Sequence, residues 1–460
     1  MLRTVCPQRT LWESILPEPL LQLSAELARV DALLNDEAFF EPFRAHFHAT
    51  LGRPSIPMET YLRLMFLKHR YRLGYEALCR EVGDSITWSR FCRIPLGTSV
   101  PHPTTLMKIT TRCGEEAVAC LNDALLAKAA EARVLRTNKV RADTTVVEAN
   151  VAYPTDSGLL AKAIGKMSGA VDRLKGAGLA VRTAFRDRRR SSRRRAHSIA
   201  ASLRRRSEES KGAAKAITGQ LAGIAAKAAN EAEDVVRNAR RALSHKQMTS
   251  SGRLRRVLDE LAVTVERTRR VVAQTRIRLS GQTPDGATRL VSLHDAHARP
   301  VRKGRLDRPT EFGYTAQVVD NADGVIVDYE VSSGNPPDAP RLAPAVARIK
   351  ARTGKAPDTV AADRGYGEAR VEEELGALGV KKTVIPRKGK PPSARRAHEH
   401  RPAFRRVLKW RTGAEGRISC LKRDFGWRRT RLDGIDGART WCGHGVFTHN
   451  LVKIGALVSE

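Results

Sequence analysis

The sequence predicts a chain of three parts: a helical N-terminal region, an α/β region built on a mixed sheet, and a long basic helical insertion after that region's first strand. Three observations predict it. Residues 57–84 repeat apolar side chains at helical spacing. Residues 310–388 alternate short β-rich runs with helical ones. Residues 157–290 are rich in Ala, Arg, Lys and Ser and nearly free of aromatics. The parts divide as 1–135 for the N-terminal region, 136–156 for the first strand, 157–290 for the insertion and 291–460 for the rest of the α/β region. A chain of 460 residues has length enough for two or three domains.

In the N-terminal region Tyr61, Leu64, Met65 and Leu67 mark one helix, and Tyr75, Leu78, Cys79 and Val82 the next. Gly74 and Gly83 punctuate them, and "SITWSRFCRI" starts another. Helix, glycine turn, helix has the outline of a helix-turn-helix; an ordinary small helical bundle has the same outline. The first strand follows in "VRADTTVVEAN", a β-branched run with Asp143 inside it.

Within the insertion, "FRDRRRSSRRRAHSIAASLRRRS" places Arg188, Arg189, Arg190, Arg193, Arg194 and Arg195 in one run. A charge run is ordinarily a solvated helix face. This one has few acids to relieve it, which favours contacts to phosphates. Leu254, Leu258, Leu261, Val265, Thr268, Val272, Thr275 and Leu279 step by threes and fours, a heptad-like seam. Ile217, Leu221, Ile224 and Ala228 begin a similar seam, and "SHKQMTSSGR" lies between the two. The expectation is an antiparallel, coiled-coil-like helical hairpin with a basic outer face.

The α/β region opens with "FGYTAQVVD" and "GVIVDYEVS", strands joined by "NADG", a hairpin turn signal. "DAPRLAPAVARIKARTG" reads as a helix with Asp338 at its N-cap and Gly354 past its end. "DTVAADRGY" is a strand, "EARVEEELGALG" a helix and "KKTVIPRK" a strand. "PPSARRAHEHRPAF" reads as a basic loop, and "VLKWRTGAEGRISCLKRDFG" as one last helix despite two glycines.

Lys and Arg number 82 against 49 Asp and Glu, a formal net charge of +33. Such an excess speaks of polyanionic partners, nucleic acid first and an anionic membrane surface second. No run of about eighteen apolar residues is present to span a membrane. The first residues lack a signal-peptide pattern. Seven scattered cysteines without a CxxC pair argue against zinc and for a reducing, cytoplasmic setting.

Three acids stand out by placement: Asp143 in the first strand, Asp363 at the end of an apolar strand, and Glu415 in the last helix. A carboxylate in an apolar strand is costly unless paired, hydrogen-bonded or bound to metal. Oxygen-only ligands suit Mg²⁺ or Mn²⁺. Two such ions can activate a hydroxyl and stabilise the leaving oxygen of a phosphodiester. The bland reading has weight: a lone strand-end Asp is a turn residue about twice as often as a ligand. Arg411, Glu415 and Lys422, at i, i+4 and i+11, share one helix face. A surface Arg–Glu pair explains only two of them and contributes about 0.3–0.5 kcal/mol. Glu148 and Asp156 read as turn acids, and His294 and His297 lack a third ligand. Arg387, Lys388 and Lys390 follow a strand end, and Trp427, Arg428 and Arg429 interleave an aromatic with cations. Both patterns suit nucleic acid.

With these residues in view, the chain resembles bacterial insertion-sequence transposases of the DDE class. "RADTTVVEAN", "ADRGYGE" and the spaced Arg411, Glu415 and Lys422 are similar to that family's three acidic motifs, in order. "RPSIPMETYLRLMFLKHRYRLGYEALCREVGDSITWSRFC" is similar to the helical domain that precedes the core. The resemblance implies a ribonuclease H-like fold and two Mg²⁺ (or Mn²⁺) ions on Asp143, Asp363 and Glu415. It implies DNA partners, both terminal inverted repeats and target, a homodimer on DNA, and a place in the bacterial cytoplasm at the nucleoid. Leu408 departs from the family's tyrosine, with Trp410 close enough to stack on a base. The insertion also departs, lying after the first strand. A nuclease of the same fold, or a catalytically silent DNA-binding descendant, are the alternatives.

Overall fold

The structure is a computed structural model that describes residues 1–5, 17, 19, 22–205, 207–244, 251–302 and 309–459. The chain divides into two compact units, Met1–Asn150 with Tyr314–Glu460, and Val151–Gly313.

The first unit begins with helices α1 (Ala25–Leu34), α2 (Glu41–Arg44), α3 (Met58–Arg70), α4 (Tyr75–Asp84), α5 (Ile86–Phe91) and α6 (Pro103–Glu131). Ser24 and Ser85 cap α1 and α5 by accepting the N–H groups of Leu27 and Trp88. Gly74 stands at the N-cap of α4, so the helix-glycine-helix pattern is the one expected. α3 is buried from Met58 to His69, charged residues included, because it lies at the centre of this bundle. β1 follows at Lys139–Glu148.

The second unit holds four helices among the described residues: α7 (Asp156–Gly176), α8 (Arg189–Arg205), α9 (Glu208–Ser244) and α10 (Ser251–Leu279). β2 (Arg299–Arg302) pairs antiparallel with the first residues of β3 (Thr310–Asn321), up to Gly313. The expected α9–α10 seam is present, with Leu258, Leu261, Thr268 and Thr275 all buried. The two threonines fit because their hydroxyls donate to the carbonyls of Thr264 and Val271 one turn back. A bare hairpin is corrected to a four-helix arrangement. The physical reason is a second apolar surface: Ala225, Ala228, Ala229 and Ala232 of α9 are buried, and Leu160, Ile164, Met167 and Val171 of α7 pack in the same core. The turn expected at 244–253 lies largely outside the described residues.

The first unit resumes along β3 and continues through β4 (Ile326–Ser333), α11 (Ala339–Thr353), β5 (Thr359–Ala361), α12 (Ala369–Leu378) and β6 (Lys382–Val384). It ends with α13 (Ser393–His400), α14 (Pro402–Arg411), α15 (Gly413–Asp424) and α16 (Gly434–Ser459). Its sheet runs β4-β3-β1-β5-β6, a mixed sheet flanked by helices, as expected. β3 and β4 form the antiparallel hairpin, closed by Asn321–Gly324 with Gly324 at φ 81°. β1, β5 and β6 are parallel. On one face Leu342, Val346 and Ile349 of α11 and Val371 and Leu375 of α12 pack with Val140, Ala142 and Val360. On the other, Phe404 and Val407 of α14 pack with Ala361 and Val384.

Three expectations change here. The basic stretch 391–404 is not a loop but α13 and the start of α14. The single last helix is two, α14 and α15. A further helix, α16, follows, and its Phe447, Leu451 and Ile454 complete the core of the N-terminal helices. Among the described residues, no helix is long and apolar enough to cross a membrane.

Candidate active site

β1 and β5 pair in parallel with Lys139 opposite Thr359, Val140 opposite Val360 and Arg141 opposite Ala361. β1 runs on through Asp143, and β5 ends at Ala361, two residues before Asp363. Asp363 thus stands just past the carboxyl end of its strand, where α/β sheets place their ligands, beside the strand that carries Asp143. Asp143 Oδ1 accepts the N–H of Thr144 at 2.8 Å. Asp363 Oδ1 accepts the N–H of Gly365 at 2.8 Å and starts a short 3₁₀ turn, Arg364–Tyr366.

A third acid joins them that the sequence reading placed elsewhere. Asp338 occupies the N-cap position of α11, yet its side chain caps nothing. Its Oδ1 instead accepts the hydroxyl of Thr144 at 2.8 Å, and the same hydroxyl oxygen lies 2.6 Å from Tyr366 Oη. A Cβ at Gly365 would stand 3.0 Å from Asp363 Oδ1 and 3.3 Å from Asp338 Oδ2. The missing side chain therefore leaves a small cradle bordered by two carboxylates. Burial pushes the Tyr366 phenol well above its ordinary pKa, and the charges of Asp338 and Asp143 add to the effect.

Glu415 sits in the first turn of α15 with its side chain 68% exposed. It is drawn to Arg411, the last residue of α14: Nη2 is 3.4 Å from Glu415 Oε1, and Nη1 is 3.5 Å from Asp143 Oδ2. One guanidinium thus stands between the two acids. Its buried Nε has no hydrogen-bond partner among the described residues. Lys422 lies in the last turn of the same helix.

The break between α14 and α15 comes from β1. Arg141 Nη1 donates to the Trp410 carbonyl at 2.7 Å, and a Cβ at Gly413 would collide with that guanidinium. Arg141 also makes a bidentate pair with Asp320 of β3, both bonds 2.8 Å, and Arg417 of α15 approaches the same acid at 3.4 Å. Trp410 is held under cations of its own chain, 4.1 Å from Lys139 Nζ and 4.6 Å from the Arg141 guanidinium. This replaces the expectation of a ring poised for a base.

The donor set fits a divalent cation in part. Asp143 and Asp363 offer oxygen ligands, and the Gly365 cradle adds space beside Asp363 and Asp338. Glu415 is engaged by Arg411, and among the described residues no three of His, Cys, Asp and Glu converge closely enough to hold a metal.

The remaining expected contacts sort by partner. Lys388 pairs with Glu368 at 3.2 Å, Lys390 is exposed, and the backbone N–H of Arg387 donates to Glu399. Arg428 is exposed, and Arg429 pairs with Glu148 at 3.0 Å. Trp427 is a correction. It is fully buried, donates its indole N–H to the Cys442 carbonyl at 3.0 Å, and packs so closely on α16 that a Cβ at Gly445 would meet its ring. In the insertion, Arg188 is bound by Glu231 and Arg189 by Asp172 and Asp187, while Arg195 donates to Ser191. These acids relieve part of the run that looked unrelieved. Arg190, Arg193 and Arg194 remain exposed. Sequence reasoning missed Asp338, Thr144 and Tyr366 as a group. The available signal was an acid just after a strand, in "GNPPD", which equally suits a helix cap.

Helices leading into a mixed sheet with an acid just past the end of a parallel strand define an α/β protein with a candidate site there; such a fold does not by itself name the activity. Two family models match the chain, "Transposase domain (DUF772)" over residues 17–112 and "Transposase DDE domain" over residues 286–451. With both domains in this order, the chain belongs with the insertion-sequence-type DDE transposases. Asp338, Asp363 and Glu415 fall inside the DDE match, and Asp143 precedes it. No curated protein and no solved structure matches the chain. Transposases act on DNA, and those of the DDE class generally use divalent metal ions.

Proposed function

We propose that the chain cuts DNA strands at the ends of an insertion sequence and joins the freed 3′ ends to target DNA. In this reading Asp143, Asp363 and Glu415 hold the metal, Mg²⁺ or Mn²⁺ as two ions, on a ribonuclease H-like core. What supports the reading is the pairing of β1, which carries Asp143, with β5, which leads directly into Asp363. Divalent cations, when bound, lower the pKa of an attacking hydroxyl and neutralise charge on the leaving oxygen.

The chain's own part is positioning. Asp143 and Asp363 are aimed by the N–H groups of Thr144 and Gly365. Arg411 leaves Asp143 and Glu415 for a DNA phosphate, which frees both acids and satisfies its buried Nε. Lys422 and the basic residues Arg387, Lys388, Lys390, Arg428 and Arg429 steady neighbouring phosphates. Arg190, Arg193 and Arg194 do so from the insertion. In the first step a water oxygen bonds to phosphorus and the bond to the 3′ oxygen breaks, leaving a 3′-hydroxyl and a 5′-phosphate. In the second, that 3′ oxygen attacks a target phosphodiester, whose own 3′ oxygen leaves. The working form is a homodimer on two inverted repeats, in the cytoplasm at the nucleoid.

The test is Asp363→Asn in the full chain, with Mg²⁺ and a duplex ending in the element's inverted repeat. Loss of strand cleavage is expected, and cleavage at the wild-type rate sinks the reading. Joining of a pre-cut 3′-hydroxyl end then separates a transposase from a nuclease.

A further inference from the structure

We propose that Asp338, Thr144 and Tyr366 form a one-way hydrogen-bond relay that positions Asp143 for its cation. The proposal rests on the metal-site reading above. A carboxylate before a helix ordinarily accepts an N–H from the first turn. Asp338 does not, and α11 carries Pro340 in that turn, which removes one N–H from the choice. Its Oδ1 goes to β1 instead. An ionised carboxylate only accepts, so the Thr144 hydroxyl must donate to Asp338. Its single proton is then committed, so its oxygen accepts from the Tyr366 hydroxyl at 2.6 Å.

Two consequences follow for the acids. The phenolic proton is directed to Thr144 and so does not neutralise Asp143 or Asp363; Arg411, 3.5 Å from Asp143, is the cation that a metal displaces. Thr144 is clamped from both sides, and its backbone N–H is the donor that holds Asp143 Oδ1. Asp338, Thr144 and Tyr366 are positioning residues in this scheme. They act on the cation through Asp143, as hydrogen-bonded outer residues do in metal sites generally.

The experiment uses the full chain with Asp338→Ala, Thr144→Val and Thr144→Ser. Mn²⁺ affinity is measured without DNA by electron paramagnetic resonance, and the Mg²⁺ concentration for half-maximal cleavage is measured with it. Asp338→Ala and Thr144→Val are expected to weaken both by roughly tenfold to a hundredfold. Thr144→Ser, which keeps the hydroxyl, is expected to stay near wild type, and metal-free DNA affinity is expected to be unchanged in all three. Unchanged Mn²⁺ affinity in Thr144→Val overturns the relay while the metal reading stands, provided Asp363→Asn is inactive. If Asp363→Asn binds Mn²⁺ and cleaves as wild type, the metal reading falls with it. Should Asp338→Ala not fold, the Thr144→Val against Thr144→Ser comparison decides.

A second observation, in the other unit, carries an independent proposal. A cleft of about 430 Å³ lies between α7, α8 and residues 291–294, lined by Lys162, Lys166, Arg189, Arg193 and His294, with no acid in its lining. At its edge Tyr153 is 79% exposed, its ring held edge-on against Phe312 at 5.5 Å. Lys162, Lys166 and Arg193 form no ion pair among the described residues. Cations along a groove with a fixed, open aromatic ring suit a single strand, phosphates in the groove and a base on the ring. We infer that this cleft binds single-stranded DNA. Ultraviolet crosslinking of a 5-iodouracil single strand to the full chain, followed by peptide mapping, is expected to label Tyr153. Lys162→Gln with Lys166→Gln is expected to reduce that label severalfold. Labelling confined to other peptides overturns the inference. So does equal labelling of Tyr153 by an acidic peptide carrying a photoreactive group.

Discussion

On the β3 side of β1, Asp320 is 2% exposed and lies between Arg141 and Arg417. On the β5 side, Asp143 and Asp363 accept the backbone N–H groups of Thr144 and Gly365, and Arg411 stands 3.5 Å from Asp143. These acids share one sheet. Two guanidiniums turn the first into structure, since a buried charge is tolerable only when paired. Backbone N–H groups orient the second pair, and one guanidinium, Arg411, reaches Asp143 Oδ2. The contrast teaches that an acid's surroundings, rather than its depth in a strand, decide whether it supports the fold or the chemistry.

The contrast can be broken most sharply from both sides at once. Asp363→Asn is expected to lower DNA cleavage by at least about a hundredfold, since loss of merely supporting residues costs ten- to a hundredfold. Its unfolding midpoint in urea is expected to stay near wild type. Asp320→Ala is expected to do the opposite first. It strands Arg141 and Arg417 in the core and costs about 3–5 kcal/mol, read by urea unfolding. If Asp320→Ala were as stable as wild type, the structural half of the comparison would be wrong.

Lys68 sharpens the point, because it is a buried cation with no acid paired to it among the described residues. It lies 4.5 Å from the Tyr75 ring and 4.3 Å from the Trp441 ring, and its ammonium reaches the Leu73 carbonyl at 3.4 Å. Burial, aided by Arg431, lowers its pKa from 10.5 to about 7. The unfolded chain therefore binds this proton more readily between those two values. Stability from this group must rise with pH through that window. Lys68→Met is expected to exceed wild type by on the order of a few kcal/mol near pH 7, and the advantage should shrink towards pH 10.5. Paired urea titrations at several pH values check this. A difference independent of pH would count against it.

Smaller effects follow. Gly413→Ala drives a Cβ into the Arg141 guanidinium, and overpacking of this kind costs about 1–3 kcal/mol. Arg411→Ala releases Asp143 and Glu415, and is expected to raise Mn²⁺ affinity without DNA by about fivefold or less. The same change removes one phosphate contact, so the slope of log affinity against log salt for duplex DNA should fall by about 0.9. Unchanged salt dependence would place Arg411 outside the DNA contact.

Much of the fold was legible because it is local. The "NADG" turn, the β-branched run of β1, and the Gly354 stop after α11 each express a backbone preference within a few residues. The α9–α10 seam was legible for the same reason, since its period is written along each helix. The split of α14 from α15 was not, because it depends on Arg141, 269 residues from the Trp410 carbonyl that it holds. Trp427 beside three arginines looked like a nucleic-acid contact, but its indole found a carbonyl on α16, an element that local reading did not anticipate. Asp338 was seen as a cap, and only the approach of β1 turned it to Thr144.

By itself the sequence determined the charge excess, much of the succession of elements, and the placement of Asp143 inside one strand and Asp363 just past the end of another. Those are matters of composition and of short-range backbone preference. Only the tertiary structure decided which acid is enclosed by two arginines in the sheet and which acids share the single Arg411. Ion pairing falls off with distance and depends on burial. The partners that matter are far apart in the chain: Arg141 and Asp320 by 179 residues, Thr144 and Asp338 by 194.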